Sequence, residues 1–189
     1  MSSQAHKDCS VLSWAVRCVR LPLFSLRCLE CGATTATAER RMFRVNANKK
    51  LLDVWLLVDC VRCGATSKIA VHERVPVRSV GRLRAFEKNA PRLVERVLLD
   101  PQVARRNRFT LDWDGAWYLD TPEVPSLDAD WPVCVEVAFE APVPLRPDRL
   151  IGQGLGLSRR AVERRVKCEV GLTRKACRAF AFTLLPRLA

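Results

Sequence analysis

The pattern C-x-x-C-G-A-T occurs twice, as Cys28-Leu29-Glu30-Cys31-Gly32-Ala33-Thr34 and as Cys60-Val61-Arg62-Cys63-Gly64-Ala65-Thr66. No other feature of the chain constrains its fold as tightly. Two thiolates must approach one metal ion to about 2.3 Å, and a two-residue gap lets a single turn present both. The glycine after each second cysteine permits a positive φ, so the backbone can turn and aim its amides at the sulfurs. Two such knuckles supply four sulfurs, which close a tetrahedral shell. A shell with no open position is structural rather than catalytic. The spacing predicts a structural Zn2+ site held by Cys28, Cys31, Cys60 and Cys63.

Paired cysteines have other uses, as disulfides or as a redox couple. The first eight residues show no basic stretch followed by an apolar one, which gives no sign of a secretion signal. No apolar run approaches the roughly 20 residues a membrane helix needs. The expectation is a cytoplasmic protein without a membrane partner, and stable disulfides are rare in that compartment. A redox pair would not need a second, nearly identical copy. Zinc stands ahead of iron, which remains open because rubredoxins also use paired C-x-x-C-G knuckles with four thiolates. Cys9, Cys18, Cys134, Cys168 and Cys177 share no ligand spacing and read as small apolar residues.

With 189 residues, 49% of them hydrophobic and 28% charged, the chain can bury a real core. The net charge is +12, which favours anionic partners, nucleic acid ahead of a membrane surface. Arginine outnumbers lysine 25 to 7. A high-GC coding bias explains that preference but not the excess over acids. The charge falls in blocks: +6 over 1–76, +6 over 77–108, −8 over 109–144 with no lysine or arginine, and +8 over 145–189. This patterning divides the chain into a zinc-ribbon β domain (1–76), a helical segment (77–108), an acidic β hairpin and connector (109–144) and a basic helical module (145–189).

Within the first segment, strands are expected at 13–20, 21–27, 40–45, 51–58 and 67–75. Asn46-Ala47-Asn48-Lys49 turns between two of them, because asparagine tolerates left-handed φ. Two hairpins, each holding a knuckle on a shared sheet, make a zinc ribbon. Arg40, Arg41, Arg44, Lys49 and Lys50 crowd its loop end, either as phosphate contacts or as a solvated tip. Apolar residues from Leu83 to Leu98 follow helical spacing, interrupted by Pro91, with Asn89 as a cap for a second helix. Asp100-Pro101 starts a third. Residues 109–119 read as a hairpin about Asp114-Gly115, and 133–139 as a strand. Trp113, Trp117 and Trp131 read as core.

The stretch Met42-Phe43-Arg44-Val45-Asn46-Ala47-Asn48-Lys49-Lys50-Leu51-Leu52-Asp53-Val54-Trp55-Leu56-Leu57, with Cys60-Val61-Arg62-Cys63-Gly64 and Val71-His72-Glu73-Arg74-Val75, resembles a bacterial family catalogued as a domain of unknown function. The likeness spans most of the chain. It implies a bacterial, cytosolic protein and carries no activity.

The C-terminal module opens with a short helix over 148–155, a turn at Gly156-Leu157 and an N-cap at Ser158. A second helix then runs over 159–167, with Ala161, Val162 and Val166 inward and Arg159, Arg160, Arg164, Arg165 and Lys167 outward. Asp148-Arg149-Leu150-Ile151 followed by Leu155-Gly156-Leu157-Ser158-Arg159-Arg160-Ala161-Val162-Glu163-Arg164-Arg165-Val166-Lys167 resembles the S4 RNA-binding motif. That likeness implies RNA phosphate contacts by Arg149, Arg159, Arg160, Arg164 and Lys167. Two departures stand against it. Pro147 replaces the usual leucine, and Glu169-Val170-Gly171-Leu172 stands where a V-N-G hairpin is usual. The same residues also resemble a DNA-binding helix-turn-helix, and a purely structural helical hairpin is the third reading. Gly152, Gly154 and Gly156 weaken the first helix under any of them.

Catalytic machinery is sparse. The chain has two histidines, His6 near its start and His72 in a strand. It has no glycine-rich phosphate loop, HExxH or nucleophile elbow, and neither C-x-x-C has the His-x-Glu of the zinc deaminases. The sequence therefore predicts a non-enzymatic α+β protein that binds nucleic acid, RNA ahead of DNA. The alternatives are a zinc-stabilised protein-interaction module and a DNA-binding regulatory one.

Overall fold

The computed structural model describes residues 11–128 and 131–186, so His6 and Cys9 lie outside the described residues. The strands are β1 (Val11–Cys18), β2 (Leu23–Ser25), β3 (Thr35–Asn48), β4 (Leu51–Cys60), β5 (Thr66–Pro76), β6 (Thr110–Asp112), β7 (Trp117–Asp120), β8 (Val133–Phe139), β9 (Val166–Cys168) and β10 (Phe180–Leu184). The helices are α1 (Leu83–Glu87), α2 (Pro91–Leu98), α3 (Pro101–Asn107), α4 (Pro147–Leu155) and α5 (Arg159–Arg165). They form a mixed α+β fold with two five-stranded sheets. No helix among the described residues is long and apolar enough to cross a membrane.

The chain divides into two compact units, Arg20–Ala116 and the pair of segments Met1–Val19 and Trp117–Ala189. Strand β1 does not join the knuckle-bearing sheet. It pairs antiparallel with β7 and parallel with β8, far along the chain. Residues 20–116 are an insertion between two register partners, Cys18 and Trp117.

In the inserted unit the order is β5-β4-β3-β2-β6, every pair antiparallel. Strand β4 alternates, with Leu52, Val54, Leu56 and Val58 fully buried, because successive side chains of a strand face opposite sides. Those residues pack with Leu93, Val94, Val97 and Leu98, the apolar stripe of α2. Pro91 occupies the first turn of α2 and separates it from α1, since a proline inside a helix would clash with the preceding turn. The tight turn between β3 and β4 is made by Lys49, at φ 57°, rather than by an asparagine.

Two asparagines act at strand edges instead of helix caps. Strand β2 pairs with β3 at Thr35 and Ala36, which leaves the rest of that edge in need of partners. Asn89, at φ 52°, accepts a hydrogen bond from the Phe43 amide at 2.6 Å, and Ala90 takes the cap position of α2. On the outer edge of β5, Asn107 accepts from the Ala70 amide at 2.7 Å and donates to the Ala70 carbonyl at 2.9 Å. Its carboxamide thus does the work of a missing neighbouring strand and covers the edge. The register there steps from Trp55–Ala70 to Val54–His72, which leaves Val71 bulged. Arg106 donates to the Val71 carbonyl at 3.1 Å. Asp100 caps α3, its carboxylate accepting from the Gln102 amide at 2.8 Å.

The other unit holds the sheet β7-β1-β8-β10-β9. Trp14 is its largest fully buried side chain. The indole meets Phe182 edge-on at 5.3 Å and donates to the Glu123 carbonyl at 2.8 Å. Helices α4 and α5 join through Gly156, left-handed at φ 66°. Ser158 caps α5, accepting from the Ala161 amide at 3.3 Å. Helix α5 stops at Arg165, so Val166 and Lys167 begin β9, which pairs with β10.

The hairpin expected over 109–119 is not formed. The Asp114-Gly115 turn exists, with Gly115 at φ 61°. Strand β6, however, pairs with β2, and β7 pairs with β1 in the other sheet. A turn is a local property, whereas the choice of partner is settled by which apolar surface each strand can cover. Trp113 is buried, Trp117 half-buried and Trp131 exposed, so the three tryptophans do not share one role.

Candidate metal centre and basic surface

The first knuckle lies between β2 and β3 and the second between β4 and β5. Their backbones repeat the same bonds. Cys28 donates to the Ala33 carbonyl and Gly32 donates back to Cys28. Cys60 donates to the Ala65 carbonyl and Gly64 donates back to Cys60. Both glycines are left-handed, Gly32 at φ 72° and Gly64 at φ 74°, which the sequence repeat foreshadows. Antiparallel pairing of β3 with β4 sets Ala36 opposite Cys60, and so brings the two knuckles to the same end of the sheet.

All four sulfurs lie within 4.8 Å of one another. Two pairs cross between knuckles, Cys28 to Cys63 and Cys31 to Cys60, each at 3.6 Å. A tetrahedral ion with bonds of about 2.3 Å needs sulfurs about 3.8 Å apart, whereas a disulfide needs about 2.05 Å. The geometry fits the former. The thiols also hydrogen-bond with one another. The Cys63 amide, acting against burial, lowers Cys60 to about 7. The Ala65 amide pulls Cys63 down as well, but the thiols of Cys31, Cys28 and Cys60 together with burial outweigh it and push Cys63 up to about 12. Four thiolates cannot gather here without a cation among them, and a divalent ion supplies that charge. The cluster is a structural Zn2+ site, its four positions filled by protein. The other described cysteines are not core residues: Cys18, Cys134 and Cys168 are half-buried and Cys177 is exposed.

The basic residues that the S4 likeness implies as phosphate contacts fall in the other unit, whereas Arg40, Arg41, Arg44, Lys49 and Lys50 belong to the inserted one. Arg149 on α4 and Arg159 at the start of α5 both line a cavity of about 450 Å3 with Arg146, Gly152 and Gln153. Arg160 and Arg164 are exposed one turn apart on α5, and Lys167 is exposed on β9. Arg159 is less available for phosphate than its sequence position suggests. It contacts Glu163 at 3.0 Å and the carboxylate of Asp148 at 3.3 Å.

Asp148 organises this corner, and the sequence gives no sign that it is buried. Its side chain has 0% exposure. It accepts from Arg146 Nε at 3.1 Å, Arg146 Nη2 at 2.5 Å and the Arg149 amide at 2.9 Å. Burial alone would raise the Asp148 carboxyl. The Arg146 hydrogen bonds and charge, the Arg149 amide and then the Arg159 charge outweigh it and hold the carboxyl below the usual range. Arg165 also departs from its outward reading. It turns in to donate to the carbonyls of Leu127, at 2.6 Å, and Leu185, at 3.1 Å.

Fold and site together define an α+β protein carrying a tetracysteine structural zinc centre. Residues 45–175 match the model of a family described as protein of unknown function (DUF1062), and the chain belongs to that family. The matched span contains Cys60 and Cys63 and begins after Cys28 and Cys31. No curated protein and no solved structure matches the chain.

Proposed function

We propose that this protein binds nucleic acid, RNA ahead of DNA, and uses zinc to hold its shape rather than to catalyse. One observation carries the reading. Arg149, Arg160, Arg164 and Lys167 are exposed on consecutive elements, and among the described residues none of them forms an ion pair. Exposed cations without an ion-pair partner are what phosphate neutralisation requires. Two helices, a left-handed glycine turn and a following strand pair support an S4-like reading of α4 to β10, with helix-turn-helix as the DNA-binding rival. Strand-flanked knuckles support a zinc-ribbon reading of residues 20–76. A cytoplasmic setting belongs to the same reading, because a four-thiolate site needs its cysteines reduced.

The test is fluorescence anisotropy with a labelled single-stranded RNA and a duplex DNA over a range of salt. Log affinity should fall linearly with log salt. Arg160→Glu with Arg164→Glu should reduce the RNA slope by about 1.4, as two lost phosphate contacts require. An unchanged slope removes this surface from the assignment, and stronger DNA than RNA binding reverses the preference. A second observation favours the protein-interaction reading. Leu29 is 93% and Val61 56% exposed, at equivalent positions of the two knuckles. That reading predicts a co-purifying protein, and no nucleic acid, after a low-salt preparation.

A further inference from the structure

The inserted unit holds a cavity of about 420 Å3 that the nucleic-acid reading does not use. Small-molecule sites commonly enclose roughly 300–1,000 Å3. The apolar part of its lining spans several elements: Val71 of β5, Val80, Phe86 of α1, Leu93 and Val97 of α2, and Val103 of α3. Helix α2 serves two surfaces at once. Val94 and Leu98 are sealed in the core at 0% and 1% exposure, whereas Leu93 and Val97 keep 7% and 6% and line the cavity.

Around this wall stand Arg82, Arg96 and Arg106, all exposed, and the half-buried His72. Among the described residues none of these three arginines forms an ion pair. Asp100, the acid in the lining, has a carboxylate oxygen engaged by the Gln102 amide. Arg106 is held in place by the carbonyl of the bulged Val71, and bulges commonly re-aim groups beside binding sites. His72 meets the Phe86 ring edge-on at 5.6 Å. Burial, and after it the Arg106 charge, holds the imidazole below its ordinary range. A neutral imidazole offers one donor and one acceptor.

We infer that this cavity binds a small organic anion, its carboxylate or phosphate met by Arg82, Arg96 and Arg106 and its hydrocarbon or aryl body seated on the apolar wall. Three guanidinium groups share the lining with one carboxylate, Asp100, so positive charge is in excess. An anion that accepts their forked hydrogen bonds offsets that excess. A bare inorganic ion would leave the apolar wall unused. The inference stands apart from the nucleic-acid reading, because it uses no residue of α4, α5 or β9.

The experiment titrates the full chain with 4-phenylbutanoate, with 4-phenylbutanol and with inorganic phosphate. Heat is read by calorimetry, and the environment of His72 by imidazole NMR. The chain has two histidines, so His6→Gln assigns the His72 signal. Phenylbutanoate should saturate a single site and move the His72 resonance. The alcohol and inorganic phosphate should each bind about tenfold more weakly or worse, and Arg82→Gln with Arg96→Gln should weaken phenylbutanoate by about tenfold. Both substituted arginines are exposed, so the melting temperature should hold. Arg160→Glu with Arg164→Glu should leave phenylbutanoate affinity unchanged, which separates this site from the proposed nucleic-acid surface. The proposal is overturned by absence of saturable phenylbutanoate binding, by equal affinity for the acid and either comparison compound, by binding that leaves His72 unmoved, or by full affinity in the Arg82→Gln and Arg96→Gln variant.

Discussion

Gly154 sits inside α4, where helix propensity favours alanine by about 1 kcal/mol. Packing makes the opposite prediction. A Cβ at Gly154 would lie 2.4 Å from Cζ3 and 2.5 Å from Cη2 of Trp14, and 3.2 Å from Leu119. Ordinary contact begins near 3.4 Å, so the indole would have to move by about 1 Å in a close-packed interior. Trp14 has little freedom to do so, because it is 1% exposed, stacked edge-on against Phe182 and hydrogen-bonded to the Glu123 carbonyl. Overpacking of this kind costs about 1–3 kcal/mol. A clash this deep belongs at the upper end, and subtracting the propensity gain leaves a net loss of about 2 kcal/mol for Gly154→Ala. That is roughly a thirtyfold drop in the folded-to-unfolded ratio. Urea unfolding followed by circular dichroism measures the loss, with hydrogen exchange of the α4 peptide assigning it to the right unit. Trp14→Phe removes the two offending ring atoms. The double variant should therefore be less destabilised than the sum of the singles by about 1 kcal/mol or more. A Gly154→Ala protein as stable as the parent, or a strictly additive pair, would refute the reasoning.

Native protein should carry one zinc per chain by elemental analysis, and Cys28→Ser or Cys60→Ser should lose the metal and unfold the inserted unit, since structural zinc contributes about 10–16 kcal/mol of apparent binding energy. Cobalt substitution should give the absorption bands of tetrahedral thiolate coordination, whereas red protein as isolated would indicate iron. The Asp148 carboxyl is held below its unfolded value, so its stabilisation is complete above about pH 4 and is lost as pH falls through the folded value. Asp148→Asn should lower stability by about 1.5–3 kcal/mol near neutrality and flatten the acid limb of a melting-temperature profile. Asn107→Ala strips both hydrogen bonds from Ala70 on the outer edge of β5 and should cost about 1–3 kcal/mol, with faster hydrogen exchange at that strand.

The metal site was legible because its chemistry is local: seven residues specify a knuckle, and repeating them specifies the pair. Most strands of the inserted sheet were legible from the knuckles and the turn that bound them, and α1 to α3 from helical spacing broken by Pro91 and restarted at Asp100-Pro101. Legibility failed where long-range pairing decides. Asp114-Gly115 marks a real turn, but nothing near it says that β6 and β7 enter different sheets. Asp148 reads only as the start of a short helix until Arg146 and Arg159 close over its carboxylate. Asn89 looks like a helix cap until a bare strand edge competes for it. The cavity beside His72 is assembled from β5 and three helices, so no window of sequence contains it. The three early glycines, read as weakening α4, include one that the indole of Trp14 demands.

Insertion of residues 20–116 between Cys18 and Trp117 fixes an order of events during synthesis. Strand β1 leaves the ribosome first, yet both of its neighbours, β7 and β8, are encoded after the whole insert. The later body has every strand of its sheet in hand, and all four sulfurs, before β1 can find its first mate. All four candidate ligands are therefore on the nascent chain before β1 can pair. In a cell starved of zinc, newly made β1 would wait beside an insert that cannot settle, its bare edges open to neighbouring chains.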